Sequence, residues 1–374
     1  MQPKITDEQL KEEMAAGLTN QAIADKYNMA KRNVSIRKAR LVSKGWSPEH
    51  DMTKESPEGF TVKGTSTLYD GAGNITAQWV KTQQDKEEQL KLIKDTLHMW
   101  VDELPQVKKT VKSKHKYEDM LAVYPLGDPH IGMFSWKKET GEVWDLAEAE
   151  RVFAGVFDRV IKSAPPCNEA VILNLGDFFH YDNMEGTTTR SGHALDRDGQ
   201  YAAMVQIGIQ IIRRMITTAL GHHKRVRVIN VIGNHDDVSS IFLGACLKHV
   251  YEKEPRVTID DNPTPFHYIK FGKVLLGAHH GHSCKADKLP GVMATDKAKA
   301  WGDTEHRYWL TGHIHHDSMK EYAGCKVESF RTLAAKDAYA TWGGWRSGRD
   351  TKAIVYHKDH GEVERHTINI SQLD

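Results

Sequence analysis

The chain has 374 residues, with 51 lysines and arginines against 50 aspartates and glutamates, and this length allows two or three domains. A formal net charge of +1 excludes a uniformly basic or acidic protein, so any contact with nucleic acid must come from a local patch. No apolar run is long enough to span a membrane, and the acidic residues near the start do not fit a signal peptide. Four cysteines without a CxxC pair predict neither disulfides nor a thiolate zinc site. We therefore expect a reduced, cytoplasmic protein without a membrane segment.

Residues 1–46 are predicted to form a small helical domain. Its apolar residues recur every four or five positions and then every seven, at Leu10, Met14, Leu18, Ile23, Tyr27, Val34 and Leu41. Thr19 is a candidate N-cap for a helix over 20–27, and Asn28 suits a left-handed turn before a helix over 30–44. The last helix has six cations and no acid: Lys31, Arg32, Arg37, Lys38, Arg40 and Lys44.

The segment AIADKYNMAKRNVSIRKARL resembles a helix-turn-helix, with Ala24 at the helix crossing, Asn28 in the turn and Val34 in the core. A second helix without acids can bind phosphates and enter a major groove. The resemblance therefore implies a domain that binds DNA through Lys31, Arg32, Arg37, Lys38 and Arg40. The alternative is a helical module for dimerisation or docking whose charges are merely solvated.

Residues 47–118 are predicted to connect two domains. A polar linker over 47–59 precedes a β-hairpin around Gly71-Ala-Gly73. An amphipathic helix over 84–104 then leads into a lysine-rich connector. That helix either packs on the hairpin or pairs with its copy in a homodimer, because its apolar spacing fits both.

From residue 119 to 374, apolar runs alternate with helical segments, which predicts a layered α/β domain. The predicted strands are MLAVYPL, EAVILNL, VRVINVI, KVLLGA and YWLTG, and the predicted helices cover 145–163, 199–220 and 238–252. Each strand ends in a polar cluster, in order GDPH, GDFFH, GNHDD, HHGH and GHIHH. Because loops at the strand ends of one layered domain converge, we expect a single site.

These five clusters resemble, in order, the DxH, GD, GNH[DE], HGH and GHxH motifs of the calcineurin-like metallophosphoesterases. The resemblance covers about residues 119–370 and implies a four-layer α/β/β/α sandwich that binds two divalent metal ions. Asp177 matches the ligand that bridges both ions. Asp128, His130 and His315 would complete the first metal site, and Asn234, His280 and His313 the second. Two cations about 3.5–4 Å apart can stabilise the attacking and leaving oxygens of a phosphodiester and activate a water.

Further roles follow from the same resemblance. His235 matches the general acid for the leaving group, and Asp236 would orient it or favour its protonated form. His180 would contact substrate or a nearby water, or would be a satisfied packing histidine. His279 and His280 point to opposite faces of a strand, and the family pattern selects His280 as the ligand.

One local similarity narrows the choice of metal and of substrate. Gly176-Asp-Phe-Phe-His180 is similar to the GDLFH stretch of the double-strand-break-repair nucleases of the SbcD type. This similarity favours manganese over magnesium, iron or zinc, and it implies DNA as substrate and an SbcC-like ATPase as partner. The alternatives are a phosphatase or nucleotidase acting on a small molecule or a protein, and a DNA-binding regulator with a vestigial phosphoesterase domain.

Two loops are further candidates for substrate contact. The loop over 184–199 follows the second motif and offers Arg190 and His193. The segment TWGGWRSGRD over 341–350 interleaves tryptophans with arginines, as in surfaces that stack bases. We expect the latter instead to be an ordinary loop packed on the core.

Overall fold

The computed structural model describes residues 5–43, 46–47, 50–51, 60–69, 75–84, 117–188 and 192–373. By its internal contacts the chain divides into two compact units, Met1–Glu103 and Leu104–Asp374. The predicted helix beyond Gln84, the lysine-rich connector and Arg190 lie outside the described residues. No helix in the described ranges is both long and apolar enough to cross a bilayer.

The described part of the first unit contains three helices followed by two strand pairs. They are α1 (Asp7–Ala15), α2 (Asn20–Lys26), α3 (Lys31–Ser43), β1 (Trp46–Ser47), β2 (His50–Asp51), β3 (Phe60–Tyr69) and β4 (Ile75–Gln84). Strands β3 and β4 pair antiparallel, which confirms the hairpin. The helices enclose the predicted apolar residues, with Trp46 added to that core. The Thr19 side chain caps α2 by accepting from the Ala22 amide, and Asn28 has a φ of 47°, both as predicted.

The second unit alternates strands and helices. Its described elements are β5 (Tyr117–Leu126), α4 (Lys137–Thr140), α5 (Leu146–Ser163), β6 (Cys167–Asn174), α6 (Tyr201–His222), β7 (Arg225–Asn230), α7 (Ser239–Val250), β8 (Val257–Ile259), β9 (His267–Phe271), β10 (Val274–His279), α8 (Leu289–Asp296), α9 (Ala298–Asp303), β11 (His306–Thr311), β12 (Ser318–Tyr322), β13 (Cys325–Ser329), α10 (Ala338–Trp342), β14 (Asp350–His357) and β15 (Gly361–Asn369). All five predicted strands and all three predicted helices are confirmed, with ends moved by at most three residues.

The strands form two sheets. The larger has the order β15-β14-β5-β6-β7-β8, in which β5 to β8 are parallel. The smaller has the order β12-β13-β11-β10-β9, in which β13, β11 and β10 are parallel. The carboxyl ends of the parallel strands in each sheet therefore share one edge, and the five polar clusters follow these ends.

An apolar core between the two sheets holds the layers together. It joins side chains of the larger sheet, such as Val123 and Leu173, to side chains of the smaller sheet, such as Leu276 and Leu310. Helix α5 covers the outer face of the larger sheet with apolar residues spaced three and four apart, and Leu289 and Met293 of α8 cover the smaller sheet. Each fully buried large apolar side chain contributes about 1.5–3 kcal/mol. The predicted four-layer α/β/β/α architecture is confirmed.

Candidate metal centre

The backbone at the strand ends is unusual. Asp128, His130, Asp177, His313 and His315 have φ values of 44°, 44°, 51°, 72° and 54°. Asn28 is the one other described non-glycine residue with positive φ. Such backbone costs of order 1–3 kcal/mol and persists where the surrounding structure fixes it, often at functional sites. Five of the seven predicted metal ligands are therefore held in a conformation that the strand ends impose.

The first group of donor atoms belongs to Asp128, His130 and His315, and these atoms all lie within 4.8 Å of one another. Nε2 of His315 lies 3.3 Å from Oδ1 of Asp128 and 3.2 Å from Nε2 of His130. Asp128 and His130 are buried, whereas His315 is partly exposed. The structure thus brings together the residues predicted for the first metal.

The second group belongs to Asp177, His280 and His313. Nε2 of His280 lies 3.2 Å from Oδ2 of Asp177 and 3.0 Å from Oδ1 of Asn234. Nδ1 of His280 donates to the carbonyl oxygen of Leu175 at 2.8 Å, which leaves Nε2 facing the other donors. The residues predicted for the second metal are therefore also adjacent.

His279 lies on the opposite side of strand β10. Its ring stacks on Phe266 with centroids 4.7 Å apart, and its Nδ1 accepts from the Gly281 amide at 2.9 Å. The alternation of side chains along a strand separates the two neighbours. The structure therefore places His280, and not His279, among the donors.

The glycines of the motifs provide space for close approach. A Cβ on Gly233 would lie 2.0 Å from Oδ1 of Asp177, and one on Gly312 would lie 2.7 Å from Oδ2 of Asp128. The same two carboxylates accept backbone amides, from His235 at 2.8 Å and from His313 at 2.9 Å. Any side chain at these glycines would displace the carboxylates from the centre.

The donor set fits divalent metal ions. Two buried carboxylates, four imidazoles and one amide converge, and within the described ranges no lysine or arginine nitrogen pairs with Asp128 or Asp177. Buried carboxylates need a compensating cation, and two divalent ions would provide it. Mixed nitrogen and oxygen donors suit manganese, iron or zinc. The centre could hold two ions, and the charge of Asp177 acts on both groups, since it helps to raise the pKa of His280 and that of His315.

The carboxylates also set the protonation of the imidazoles. Burial by itself lowers the pKa of His280, but Asp177 and Asp128 outweigh it and raise this pKa to about 9. The pKa of His315 is likewise raised, because Asp128 outweighs burial. Burial and the neighbouring His235 lower the pKa of His130. The metal-free centre therefore binds protons where metal ions would bind.

We expect metal binding at pH 7 to release protons, because Nε2 of His280 must lose its proton before it can bind an ion. Affinity should rise as pH rises toward 9, about tenfold per pH unit for each proton released. Calorimetric titration of Mn²⁺ into metal-free protein, in two buffers of different ionisation enthalpy, counts these protons. The His280→Gln variant should release fewer protons. The His279→Gln variant should release as many as the wild type, because burial lowers the pKa of His279 to about 4 and its ring is already neutral at pH 7. Identical heats in both buffers would contradict the expectation.

His235 lies beside the first group of donors. Its ring is half-buried, with its centroid 5.0 Å from that of His130. Nδ1 of His235 lies 2.8 Å from the carbonyl oxygen of His180 and can donate to it. This contact orients the ring and leaves Nε2 for another partner.

Asp236 does not orient His235, contrary to the sequence-based expectation. Its carboxylate accepts the backbone amides of Phe178 at 2.8 Å and of Gly233 at 3.1 Å. Burial, together with the nearby Asp177, raises the pKa of Asp236 to about 6. The carboxylate accepts hydrogen bonds from buried amides that would otherwise have no acceptor. It thereby links the second motif to the third.

His180 packs behind the first group. It is 2% exposed, and its Nδ1 lies 3.2 Å from Nδ1 of His130. Burial, with His235, lowers the pKa of His180 to about 3, which keeps the ring neutral. Its buried position favours support of His130 over direct contact with substrate.

Further residues, which carry no sequence signal of their own, hold the loops in place. Thr332 donates from Oγ1 to the Asp128 carbonyl oxygen at 2.6 Å, across 204 positions of sequence. Asp317, two residues after His315, pairs with Lys352 at 2.8 Å and with Arg331 at 3.4 Å. No motif marks these residues, because their roles depend on chain segments that only folding brings together.

The predicted DNA-contact residues differ in their surroundings. Lys31, Arg32 and Arg40 are exposed, and Lys38 is partly exposed. Arg37 is half-buried, and its guanidinium pairs with Asp7 and donates to the Ile5 carbonyl oxygen. The charge of Arg37 is therefore neutralised within the first unit, so the prediction that Arg37 contacts DNA is corrected.

Of the two candidate loops, the segment 341–350 differs from expectation. His193 is exposed; its amide donates to Oγ1 of Thr188, and its carbonyl oxygen accepts from the Thr188 amide. In the segment 341–350, Trp342 is 83% and Trp345 is 57% exposed, so the prediction that this loop packs on the core is wrong for both. At the end of the segment Arg349 packs inward, with its guanidinium over the ring of Trp144, and Asp350 is buried.

Comparison with known proteins supplements this geometry. No family model and no curated protein sequence matches the chain. Among solved structures, it is similar to a predicted phosphoesterase from Streptococcus pneumoniae (11% identity, TM-score 0.28), to Vps29 with zinc from Entamoeba histolytica (13%, 0.28) and to an archaeal phosphodiesterase (12%, 0.33). Each match covers 67% of this chain and 98–99% of the other. With TM-scores this low, the fold rests on the strand order and packing described above.

Proposed function

We propose that the protein is a phosphodiesterase that depends on two divalent metal ions, and that its substrate is DNA. The observation that carries the proposal is the convergence of two buried carboxylates with histidine and asparagine donors at one edge of both sheets. Ions bound there would neutralise charge on phosphoryl oxygens and lower the pKa of water. A mixed donor set of this kind suits that chemistry.

His235 is the group proposed to give a proton to the leaving oxygen. Its Nδ1 contact with the His180 carbonyl holds the ring beside His130 and leaves Nε2 for proton transfer to the substrate. The ring is only half-buried, so a substrate can reach it. Proton donation by a positioned histidine contributes about 10²–10⁴-fold in rate.

The choice of DNA is supported by helix α3. Lys31 and Arg32 are exposed in its first turn and Lys38 is partly exposed further along, and the described part of the helix contains no acidic residue. A DNA-binding unit would bring a phosphodiester backbone to a protein whose other unit hydrolyses it. An SbcC-like ATPase and a second copy of this chain stay predicted partners.

The proposal is tested by hydrolysis of bis(4-nitrophenyl) phosphate after metal-free protein is given Mn²⁺, Mg²⁺ or Zn²⁺. We expect metal-dependent hydrolysis, and cleavage of labelled single-stranded, duplex or hairpin DNA under the same conditions. No hydrolysis with any of these ions would contradict a phosphodiesterase. A strong preference for 4-nitrophenyl phosphate would favour a phosphatase, and DNA binding without cleavage would favour a regulator.

Replacing Lys31, Arg32 and Lys38 together by alanine should weaken duplex binding. Each phosphate contact contributes about −0.9 to the log–log dependence of affinity on salt, so the slope should flatten by up to about 2.7. Hydrolysis of the small chromogenic diester should not change. Fluorescence anisotropy with a labelled duplex at several salt concentrations measures both quantities.

The matched control removes the same charge from the second unit, at the exposed Lys253, Lys299 and Lys320. It should leave the slope nearly unchanged. Arg37 is kept in all variants, because its pair with Asp7 stabilises the unit. If the α3 variant and the wild type show the same salt dependence of affinity, the first unit is better interpreted as a module for dimerisation or docking.

A further inference from the structure

Four large aromatic side chains of the second unit are exposed on two segments whose helices, α4 and α10, pack together. Trp342 is 83%, Tyr339 is 74%, Trp345 is 57% and Trp136 is 54% exposed, and we call them the aromatic platform. Tryptophan is usually well buried, and a cluster of exposed rings normally marks an interaction surface. Neither the metal donors nor helix α3 explains this group.

The rings are fixed rather than loosely placed. Helix α10 packs on helix α4, and Nε1 of Trp342 donates to Oε1 of Glu139 at 3.0 Å. The rings of Tyr339 and Trp345 meet edge to face, with centroids 5.2 Å apart. Rigid aromatic side chains offer contact area at little cost in conformational entropy. The platform is thus preorganised for a ligand.

The platform is connected to the loops of the metal centre. Trp136 lies six residues after His130, which limits their Cα separation to about 20 Å. Oγ of Ser135 donates to the Lys336 carbonyl oxygen at 2.9 Å, joining the two segments that carry the rings. The second segment also includes Thr332, which binds the Asp128 carbonyl oxygen. A ligand on the platform would lie within a few nucleotides of the metal donors.

The charges around the rings favour a polyanion. Lys137, Lys138 and Arg346 are exposed, and Nζ of Lys138 lies 5.6 Å from the centre of the Trp136 ring. Of the acids on these two segments, Glu139 accepts from Trp342, Glu142 pairs with Lys336 and Arg349, and Asp337 caps α10. Exposed aromatic faces interleaved with cations are typical of surfaces that bind single-stranded nucleic acid, where bases stack and cations contact phosphates.

We propose that the aromatic platform stacks the unpaired bases of a single-stranded or frayed DNA segment whose backbone enters the metal centre. This inference rests on the proposed function, since it names the form of DNA that the centre would receive. Stacking requires only a π-face, so the platform would accept any base sequence.

The test uses a thymidine oligonucleotide that carries one 2-aminopurine, whose fluorescence falls when its ring stacks on an aromatic side chain. It is titrated with the full chain in EDTA, so that binding is independent of metal and of hydrolysis. Trp342→Ala should weaken binding about tenfold and reduce the quenching, in line with the loss of one stacked base. Trp342→Phe should retain most of the affinity and most of the quenching, although it loses the hydrogen bond to Glu139.

Val363→Ala, an exposed apolar change on β15, is the surface control and should bind as the wild type does. All variants should hydrolyse the chromogenic diester at the wild-type rate, which separates this test from the test of the phosphodiesterase. Absence of binding by the wild type, or equal binding and quenching by Trp342→Ala, would overturn the platform. A surface built for a protein partner would give the latter result.

Discussion

Asp177→Asn is expected to abolish the binding of both metal ions and to reduce phosphodiester hydrolysis by about 10³-fold or more, roughly 4 kcal/mol. Asp177 is 1% exposed and lies 3.2 Å from Nε2 of His280, and its charge also raises the pKa of His315. The amide would keep the shape of the side chain but remove the charge that both groups of donors share. Elemental analysis after dialysis against Mn²⁺ measures occupancy directly.

Asp145→Asn is the matched control for this change. The Asp145 side chain caps helix α5 by accepting from the Glu148 amide at 2.7 Å, and asparagine caps a helix about as well. Its metal content and its rate should equal those of the wild type. Full occupancy in the Asp177 variant would refute the bridging assignment.

His235→Ala is expected to retain both metal ions and DNA affinity but to slow DNA cleavage by about 10²–10⁴-fold. The ring contacts the His180 carbonyl and lies beside His130, but it belongs to neither group of predicted ligands. Its loss therefore removes a proton donor and leaves the donor set complete. Single-turnover cleavage at saturating enzyme separates this loss from any change in binding.

The leaving group distinguishes a general acid from a structural histidine. Nitrophenolate is stable without a proton, so the variant should hydrolyse bis(4-nitrophenyl) phosphate with a much smaller loss than it shows on DNA. His249→Ala, at an exposed histidine of α7, should lose activity on neither substrate. An equal loss on both substrates would point to an electrostatic or structural role for His235.

The strand ends show why the candidate site could be predicted in advance. Each cluster follows a buried apolar strand, and parallel strands place their carboxyl ends at one edge, so local pattern and motif order were enough to group Asp128, Asp177 and His280. The helices were equally predictable, because apolar spacing and a capping Thr19 are local signals.

Other features depended on contacts between distant segments. Adjacency in the chain suggested that Asp236 serves His235, but buried amides of the second motif take its carboxylate. Charge suggested that Arg37 faces solvent, but Asp7 pairs with it from another helix. In both cases burial creates a demand for partners that no local pattern specifies.

The sequence by itself determined the order of strands and helices along the chain and the cationic helix, because these follow from periodicity, and the resemblance of its five motifs grouped the candidate donor residues. The tertiary structure alone decided which groups the Asp236 carboxylate and the Arg37 guanidinium contact, and that Trp342 and Trp345 face solvent. These outcomes depend on the pairing of sheets and loops far apart in the chain. The local sequence does not specify that pairing. Whether a tryptophan-rich loop packs inward or outward depends on the space that its neighbours in the fold leave.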